Sequence, residues 1–573
     1  MDYIMDIETK IAAAAGREMA DILFINGNII NVFTGEILQE SVALKEGHIC
    51  GFGEYESQEV VDLKGRYMSP GFIDSHVHIE SSMVTPEVFA RSVVPRGTTT
   101  VVADPHEIAN VLGIDGITYM MQAAENQPVN ILFALSSCVP ATAMETSGAT
   151  LEAPDLEPLF SHKSACALAE MMNYPGVIFG DPGVMAKLKM AQKAGKPVDG
   201  HAPGLTGKEL NAYVAAGIHS DHECTTCEEA LEKLRRGMHI MVREGTCARN
   251  LEALVPAITN HTWTRMMWCT DDRHPGDILS EGHVDYIIRK AISLGLDPVR
   301  AIQMGTINCA RYFGIKDAGA IAPGRRADLV IFRDLEKLNI EKVYTRGVLV
   351  ADQGTLAPHI KKSHPSPCPA TMNLNMDAID FSIPMMGPRV RAIKAIAHQV
   401  VTGLEIMDIL EKKGCAVADP SRDMAKIAVI DRHTGKTGMA RGFVTGMGLL
   451  TGALASSVAH DSHNIIVMGM DDGDMMRAVK EVVTMGGGLS VVNAGRTLAT
   501  VPLPVAGLMS PAPMDQVHQE MELAIEAAQA LGSPLDDPFM TLGFLALPVI
   551  PHLKITDKGL VDVDKFELVE LFV

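Results

Sequence analysis

Residues 70–80 read PGFIDSHVHIE. A Pro-Gly turn leads into Phe72 and Ile73, then Asp74, then His76 and His78, one residue apart. A strand here turns both imidazoles to the same side at its C-terminal end, because side chains alternate with a period of two. Two neutral imidazoles on one face make half of a transition-metal site. A lone histidine on a strand is more often a satisfied core or surface group, so the metal reading depends on further ligands at strand ends downstream.

From residue 70 to about 313, short apolar runs alternate with helical stretches, the pattern of a parallel α/β sheet. Eight candidate strands fall at 72–78, 99–104, 130–136, 166–171, 197–201, 218–222, 239–243 and 267–271. Helix starts lie between them: Thr85 before Pro86, and capping boxes in which Thr206 and Thr226 are answered by Glu209 and Glu229. Eight such repeats predict a (β/α)8 barrel, whose chemistry sits at the C-terminal ends of its strands.

Strand one ends in His76 and His78, strand four in Glu170, strand five in His201, strand six in His222 and strand eight in Asp271. Six metal-ligand side chains on one predicted rim are hard to read as incidental polar groups. One ion with an open position takes three or four protein ligands, so six suit two ions bridged by a carboxylate. Glu170, central in the order, is the expected bridge. Strand two ends in ADPHE, which puts Asp104, His106 and Glu107 on the same rim, as support for the ligands, as substrate contacts or as a further metal position. A helix cap with incidental charges is the plainer alternative there. Arg273, beside Asp271 and Asp272, is equally suited to pairing with rim acids.

The 573 residues suggest about three domains. Apolar residues make up 47% and charged residues 21%, ordinary for a soluble globular chain. The 49 basic and 70 acidic side chains give a net charge of −21, which argues against nucleic-acid binding and for a small-molecule task. No run approaches the roughly 18 apolar residues of a membrane span. Ten scattered cysteines read as reduced thiols in a cytoplasmic protein, and one Cys-x-x-Cys at Cys224 and Cys227 has no second pair to complete a structural zinc site.

Short β-rich runs in 21–53 have a counterpart in GAIAPGRRADLVIFRD at 319–334 and KVYTRGVLVAD after it. Both pieces are expected in one β domain, with the barrel inserted between them. The expected division is 1–69 and 316–355 for that domain, 70–315 for the barrel, 356–370 for a Pro-rich linker, and 371–573 for a C-terminal α+β domain. The triplet Gly486 to Gly488 lacks any phosphate-loop spacing. In the last domain, AHDSHN places His460, Asp461 and His463 close together, as a local buried network or as a closure over the barrel mouth.

The first-strand motif, the later histidines, Asp271 and the closing GxxAPGRRADLVIF piece resemble the amidohydrolase superfamily. More narrowly, HIESSMVTPEVFARSVVPRGTTTVVADPHEIANVLG, LAEMMNYPGV, DGHAPGLTGKELNAYVAAGI, CTDDR, AHDSHNIIVMG and VPLPVAGLMS resemble the prokaryotic adenine deaminase family, over nearly the whole chain. The resemblance implies conversion of adenine and water to hypoxanthine and ammonia, with a binuclear Mn²⁺ or Fe²⁺ centre held by His76, His78, Glu170, His201, His222 and Asp271. It also favours placing His460 and His463 near the site. Many superfamily members carry a carbamylated lysine on strand four, so Glu170 counts against a hydantoinase-like enzyme.

The expected chemistry is attack of a metal-bound hydroxide on C6, with Asp271 as general base and a proton delivered to N1 by Glu170, Glu107 or Glu223. A related enzyme acting on another aminopurine or a cyclic amide is the alternative. A catalytically silent relative would have no need of the six ligands. A homo-oligomer is expected of a metabolic enzyme of this size.

Overall fold

The computed structural model describes residues 6–360, 367–397 and 399–573. The eight barrel strands are β1 Phe72–Val77, β2 Thr98–Ala103, β3 Asn130–Leu135, β4 Ala165–Met171, β5 Val198–Gly200, β6 Ser220–Asp221, β7 His239–Arg243 and β8 Met266–Cys269. Strands β1 to β5 form one parallel sheet and β6 to β8 another. Single parallel bridges, Val198 to Ile218 and Val77 to Asp271, join the two and close the barrel. The strands are buried on both faces, which is why they read in sequence as nearly continuous apolar runs.

The closing seam between β1 and β8 is tied across the chain. Asp271 N donates to His76 O at 3.0 Å, His78 N to Asp271 O at 3.2 Å, and the Ser75 hydroxyl to Trp268 O at 2.8 Å. The β1 and β2 register shifts between Asp74 and Val77, an irregularity at the residues that carry the first two histidines. Of the two expected capping boxes, Thr226 does cap Cys227–Arg235 by accepting from Glu229 N, whereas Thr206 makes no such bond. The Glu229 carboxylate instead takes Gly204 N at 2.8 Å and Lys233 Nζ at 2.7 Å.

Tyr67–Pro70 and Leu329–Phe332 pair antiparallel in a seven-stranded sheet that contains both ends of the flanking β-rich segments. Phe24 and Leu44, from a neighbouring four-stranded sheet, share a core with Met68, Leu329 and Tyr344 of this one. Part of the expected 356–370 linker, residues 361–366, lies outside the described residues. Beyond it an eight-stranded sheet runs from Gly403–Asp408 to Arg496–Pro502, with helices Asp472–Thr484 and Met514–Ala530 packed on it. The second of these helices also meets barrel helices Pro86–Val93 and Pro275–Ser280. Among the described residues no helix is long and apolar enough to cross a membrane.

Candidate metal centre and rim

The C-terminal ends of the barrel strands open into a cavity of about 1770 Å³, lined on one side by His78, Glu170 and Asp271 and on the other by His460, Asp461 and Phe544 of the C-terminal unit. His76, His78, Glu170, His222 and Asp271 are buried, and His201 is partly exposed toward this space. The two first-strand imidazoles converge, with Nε2 to Nε2 at 3.1 Å. His78 Nδ1 donates to Asp104 O at 3.0 Å, which leaves the lone pair on Nε2, the ring nitrogen that faces the centre.

Glu170 lies between two histidine pairs. Its Oε1 is 3.3 Å from His78 Nε2 and 4.0 Å from His76 Nε2, while its Oε2 is 2.6 Å from His201 Nδ1 and 3.2 Å from His222 Nε2. Asp271 Oδ1 lies closest to the first pair, 3.3 Å from His76 and 3.0 Å from His78. Burial alone would raise both carboxyls. The imidazoles of His201, His222 and His78 outweigh it at Glu170, and Arg243 with His76 and His78 outweighs it at Asp271, so both are held well below the usual carboxylate range.

This donor set fits divalent metal. Imidazole nitrogens and carboxylate oxygens converge within a few ångströms in a buried space, and His222 Nδ1 is buried with no partner among the described residues. His76, His222 and Asp271 form one compact group and Glu170, His201 and His222 another.

Beneath the site, Asp74 accepts from the Thr270 hydroxyl at 2.5 Å and lies 3.3 Å from His283 Nε2. His283 Nδ1 faces the Thr98 hydroxyl at 3.0 Å. Burial pushes Asp74 up to about 7, with the Thr270 bonds opposing. The network fixes the ends of β1, β2 and β8 against one another.

The second strand's rim residues divide. Asp104 is bound into the scaffold, with Oδ1 accepting from the Ser136 hydroxyl at 2.9 Å. His106 Nδ1 is 3.4 Å from Asp104 Oδ2 and 3.5 Å from Glu170 Oε1, and its Nε2 is 3.9 Å from Asp461 Oδ1. Glu107 faces the C-terminal unit, 3.3 Å from His460 Nδ1 and 4.0 Å from His463 Nε2. A carboxylate and two imidazoles at such spacing also suit a metal. At His463, however, Ala459 N donates to Nδ1 at 3.3 Å, which puts the ring proton on Nε2, a buried nitrogen that at 4.0 Å from Glu107 makes no hydrogen bond.

Arg243, at the end of β7, has no place in the expected ligand list. Its Nη1 donates to Asp271 Oδ2 at 2.6 Å and to Glu223 Oε1, and its Nη2 to Glu223 Oε2 at 3.0 Å. The rim rule applied to His239–Arg243 would have found it, had cations been counted along with ligands. Arg273 turns away from the rim, pairing with Glu281 at 2.7 Å and lying over the Tyr286 ring. Cys224 is buried, and its Sγ donates to Asp221 Oδ2 at 3.2 Å.

Residues 67–350 match the amidohydrolase family, and residues 399–567 match the adenine deaminase C-terminal domain. The chain is 52% identical over 562 residues to an adenine deaminase of Desulfatibacillum aliphaticivorans, covering 98% of this chain and 99% of the relative. It is 48% identical over 570 residues to an adenine deaminase of Methanothrix thermoacetophila, covering 99% of this chain and all (100%) of the relative. With adenine deaminase 2 of Carboxydothermus hydrogenoformans the identity is 46% over 570 residues, covering 98% and 99%.

Proposed function

The chain belongs to the adenine deaminase family of amidohydrolases, and we propose that its barrel rim performs that family's reaction with two divalent ions, Mn²⁺ or Fe²⁺, in His76, His78, Glu170, His201, His222 and Asp271. The reaction is hydrolytic deamination of adenine: water adds to C6, N1 gains a proton, and the exocyclic C–N bond breaks to leave hypoxanthine and ammonia. The observation that carries the binuclear reading is Glu170, whose two oxygens face different histidine pairs. Bound divalent ions there supply a water acidic enough to act as hydroxide near neutral pH.

The protein's own groups divide the remaining work. Asp271 Oδ1 faces the reacting space, while Oδ2 is fixed by Arg243, so one oxygen is left to take the proton of the attacking water and pass it to the departing amine. Of the three carboxyls considered for N1, Glu170 and Glu107 are held ionised by imidazoles, and Glu223 is held at both oxygens by Arg243. The imidazoles at the rim are better placed to give a proton. Burial opposes charge on His106 and His460, but Asp104 and Asp461 raise the first and Glu107 raises the second. Asp461 adds to the wall beside them, while His463 is fully buried and does not reach the cavity. Ten free cysteines fit a reducing, cytoplasmic setting.

The test is hypoxanthine and ammonia formation from adenine by protein stripped of metal and reloaded with Mn²⁺, beside Asp271→Asn. Turnover that requires metal and falls by at least about 10³-fold in the variant is expected. Loaded protein that leaves adenine untouched would contradict the reading.

A further inference from the structure

The loop 459–464 brings His460 and Asp461 to the barrel mouth, yet the groups that hold it lie on its far side. Arg432, just beyond strand Ala425–Ile430, is fully buried. Among the described residues no carboxylate meets its guanidinium. Nε donates to His463 O, Nη1 to Thr371 O at 3.3 Å and to the Thr371 hydroxyl at 2.9 Å, and Nη2 to Ala506 O at 2.9 Å. Its main-chain N donates to Asn464 Oδ1 at 3.3 Å, and the next residue, His433, meets Ser462 O through Nε2 at 2.7 Å.

A buried guanidinium paired only with neutral carbonyls and one hydroxyl is costly to desolvate, and burial pushes its pKa down to about 9. What it secures is backbone that is otherwise hard to hold. His463 and Ala506 both sit in the left-handed region, at φ 53° and 57°, and each presents its carbonyl to this one side chain. Gly507, at φ 73°, stands where a Cβ would lie 2.8 Å from Nη1, so the neighbouring turn leaves room for the guanidinium.

The opposite side of the loop faces the reaction. His460 Nδ1 is 3.3 Å from Glu107 Oε1, and its ring stacks on Phe544 at 4.5 Å between centroids. Asn464 Nδ2 donates to Thr146 O of the barrel loop at 2.8 Å. Loop 459–464 is thus held to the C-terminal unit by Arg432 at His463 and to the barrel by Asn464, with His460 a few residues before both attachments.

We propose that Arg432 is a positioning residue for the deamination, acting through loop 459–464 to hold His460 against Glu107 over the barrel mouth. This rests on the deaminase reading for its assay and on geometry alone for its structural consequence.

The experiment is a double-mutant cycle on the full-length, Mn²⁺-loaded protein with Arg432→Met, His460→Asn and the pair, following kcat and KM for adenine together with bound metal. Arg432→Met is expected to keep wild-type metal content while kcat/KM falls about 100-fold. The pair should then lie within about threefold of the worse single variant, because both changes remove one interaction. Arg432→Lys, which keeps a cation that reaches fewer carbonyls, should recover about tenfold. Losses that multiply in the pair, or an Arg432→Met variant within about threefold of wild type, would overturn the proposal. Should Arg432→Met fail to fold, the same cycle run with Arg432→Lys decides it by the same criteria. A wild-type protein inactive on adenine would sink the deaminase reading instead. The crystal structure of Arg432→Met, or of Arg432→Lys if that alone folds, then decides for Arg432: a displaced loop 459–464 supports the proposal, and an unmoved one contradicts it.

Discussion

Glu145 is buried on the cavity wall, and its Oε1 has no partner among the described residues. Burial is the largest influence on it, and Asp461 and Asp557 add to it, so its carboxyl is pushed up to about 8. An unfolded chain releases this proton near pH 4.5, whereas the folded protein keeps it to about pH 8. Between those values the folded state holds more protons than the unfolded state, so the contribution of Glu145 to stability declines as pH rises. Glu145→Gln removes that decline. Denaturant unfolding should show variant and wild type alike near pH 4.5 and the variant ahead by at least about 1 kcal/mol at pH 8. A gap that is constant with pH would contradict this assignment. The same contrast of surroundings explains why the sequence revealed some rim residues and not others. Histidines and acids at predicted strand ends stand out by type, but Glu145 lies in a long loop with no period to place it, and its acidic neighbours come from hundreds of residues away.

At the scale of the strand, Gly200 shows how closely the candidate ligands are set. A Cβ there would lie 2.2 Å from Ser220 O on β6 and 2.9 Å from the Ile218 side chain, one residue before His201 and two before His222 on their respective strands. The Tyr213 hydroxyl adds a further constraint, donating to Met171 O at 2.8 Å and accepting from His201 N at 3.0 Å. Gly200→Ala must therefore force β5 and β6 apart, at a cost of about 1–3 kcal/mol. Metal analysis should find the variant short of the wild-type ion content, together with a lowered Tm. Full metal content and an unchanged Tm would show that the two strand ends give way without disturbing the ligands. All eight strands were legible, most of them because burial on both faces writes them as apolar runs, though β5 and β6 are short and carry the buried acids Asp199 and Asp221. Their lengths were less so: the predicted 218–222 strand narrows to Ser220–Asp221, with Ile218 making only a single bridge. The register shift at Asp74 to Val77 leaves no mark in composition, since it depends on how β1 meets its neighbour.

At the scale of the molecule, the site is assembled from two units far apart in sequence. Glu107 and His460 meet across the cavity, and Thr146 O, Ala143 O and Glu145 O of a barrel loop receive Asn464 and Lys558 of the C-terminal unit. The six candidate ligands could be placed in sequence because one architectural rule puts them on one rim. The approach of His460 could not be derived from any period, and only the family resemblance favoured it. Arg243 and Arg432 escaped because a cation at a strand end has no metal-ligand signature, although each proves to hold a chemically placed group.

The central claim is that this rim, with Glu170 shared between two histidine pairs, holds two ions that are both needed for deamination. The direct measurement is a titration of metal-free protein with Mn²⁺, following bound ion and hypoxanthine formation from adenine in the same samples. Activity should climb until about two ions are bound per chain and then level off. Full activity with a single bound ion, or two bound ions without turnover of adenine, would contradict the account.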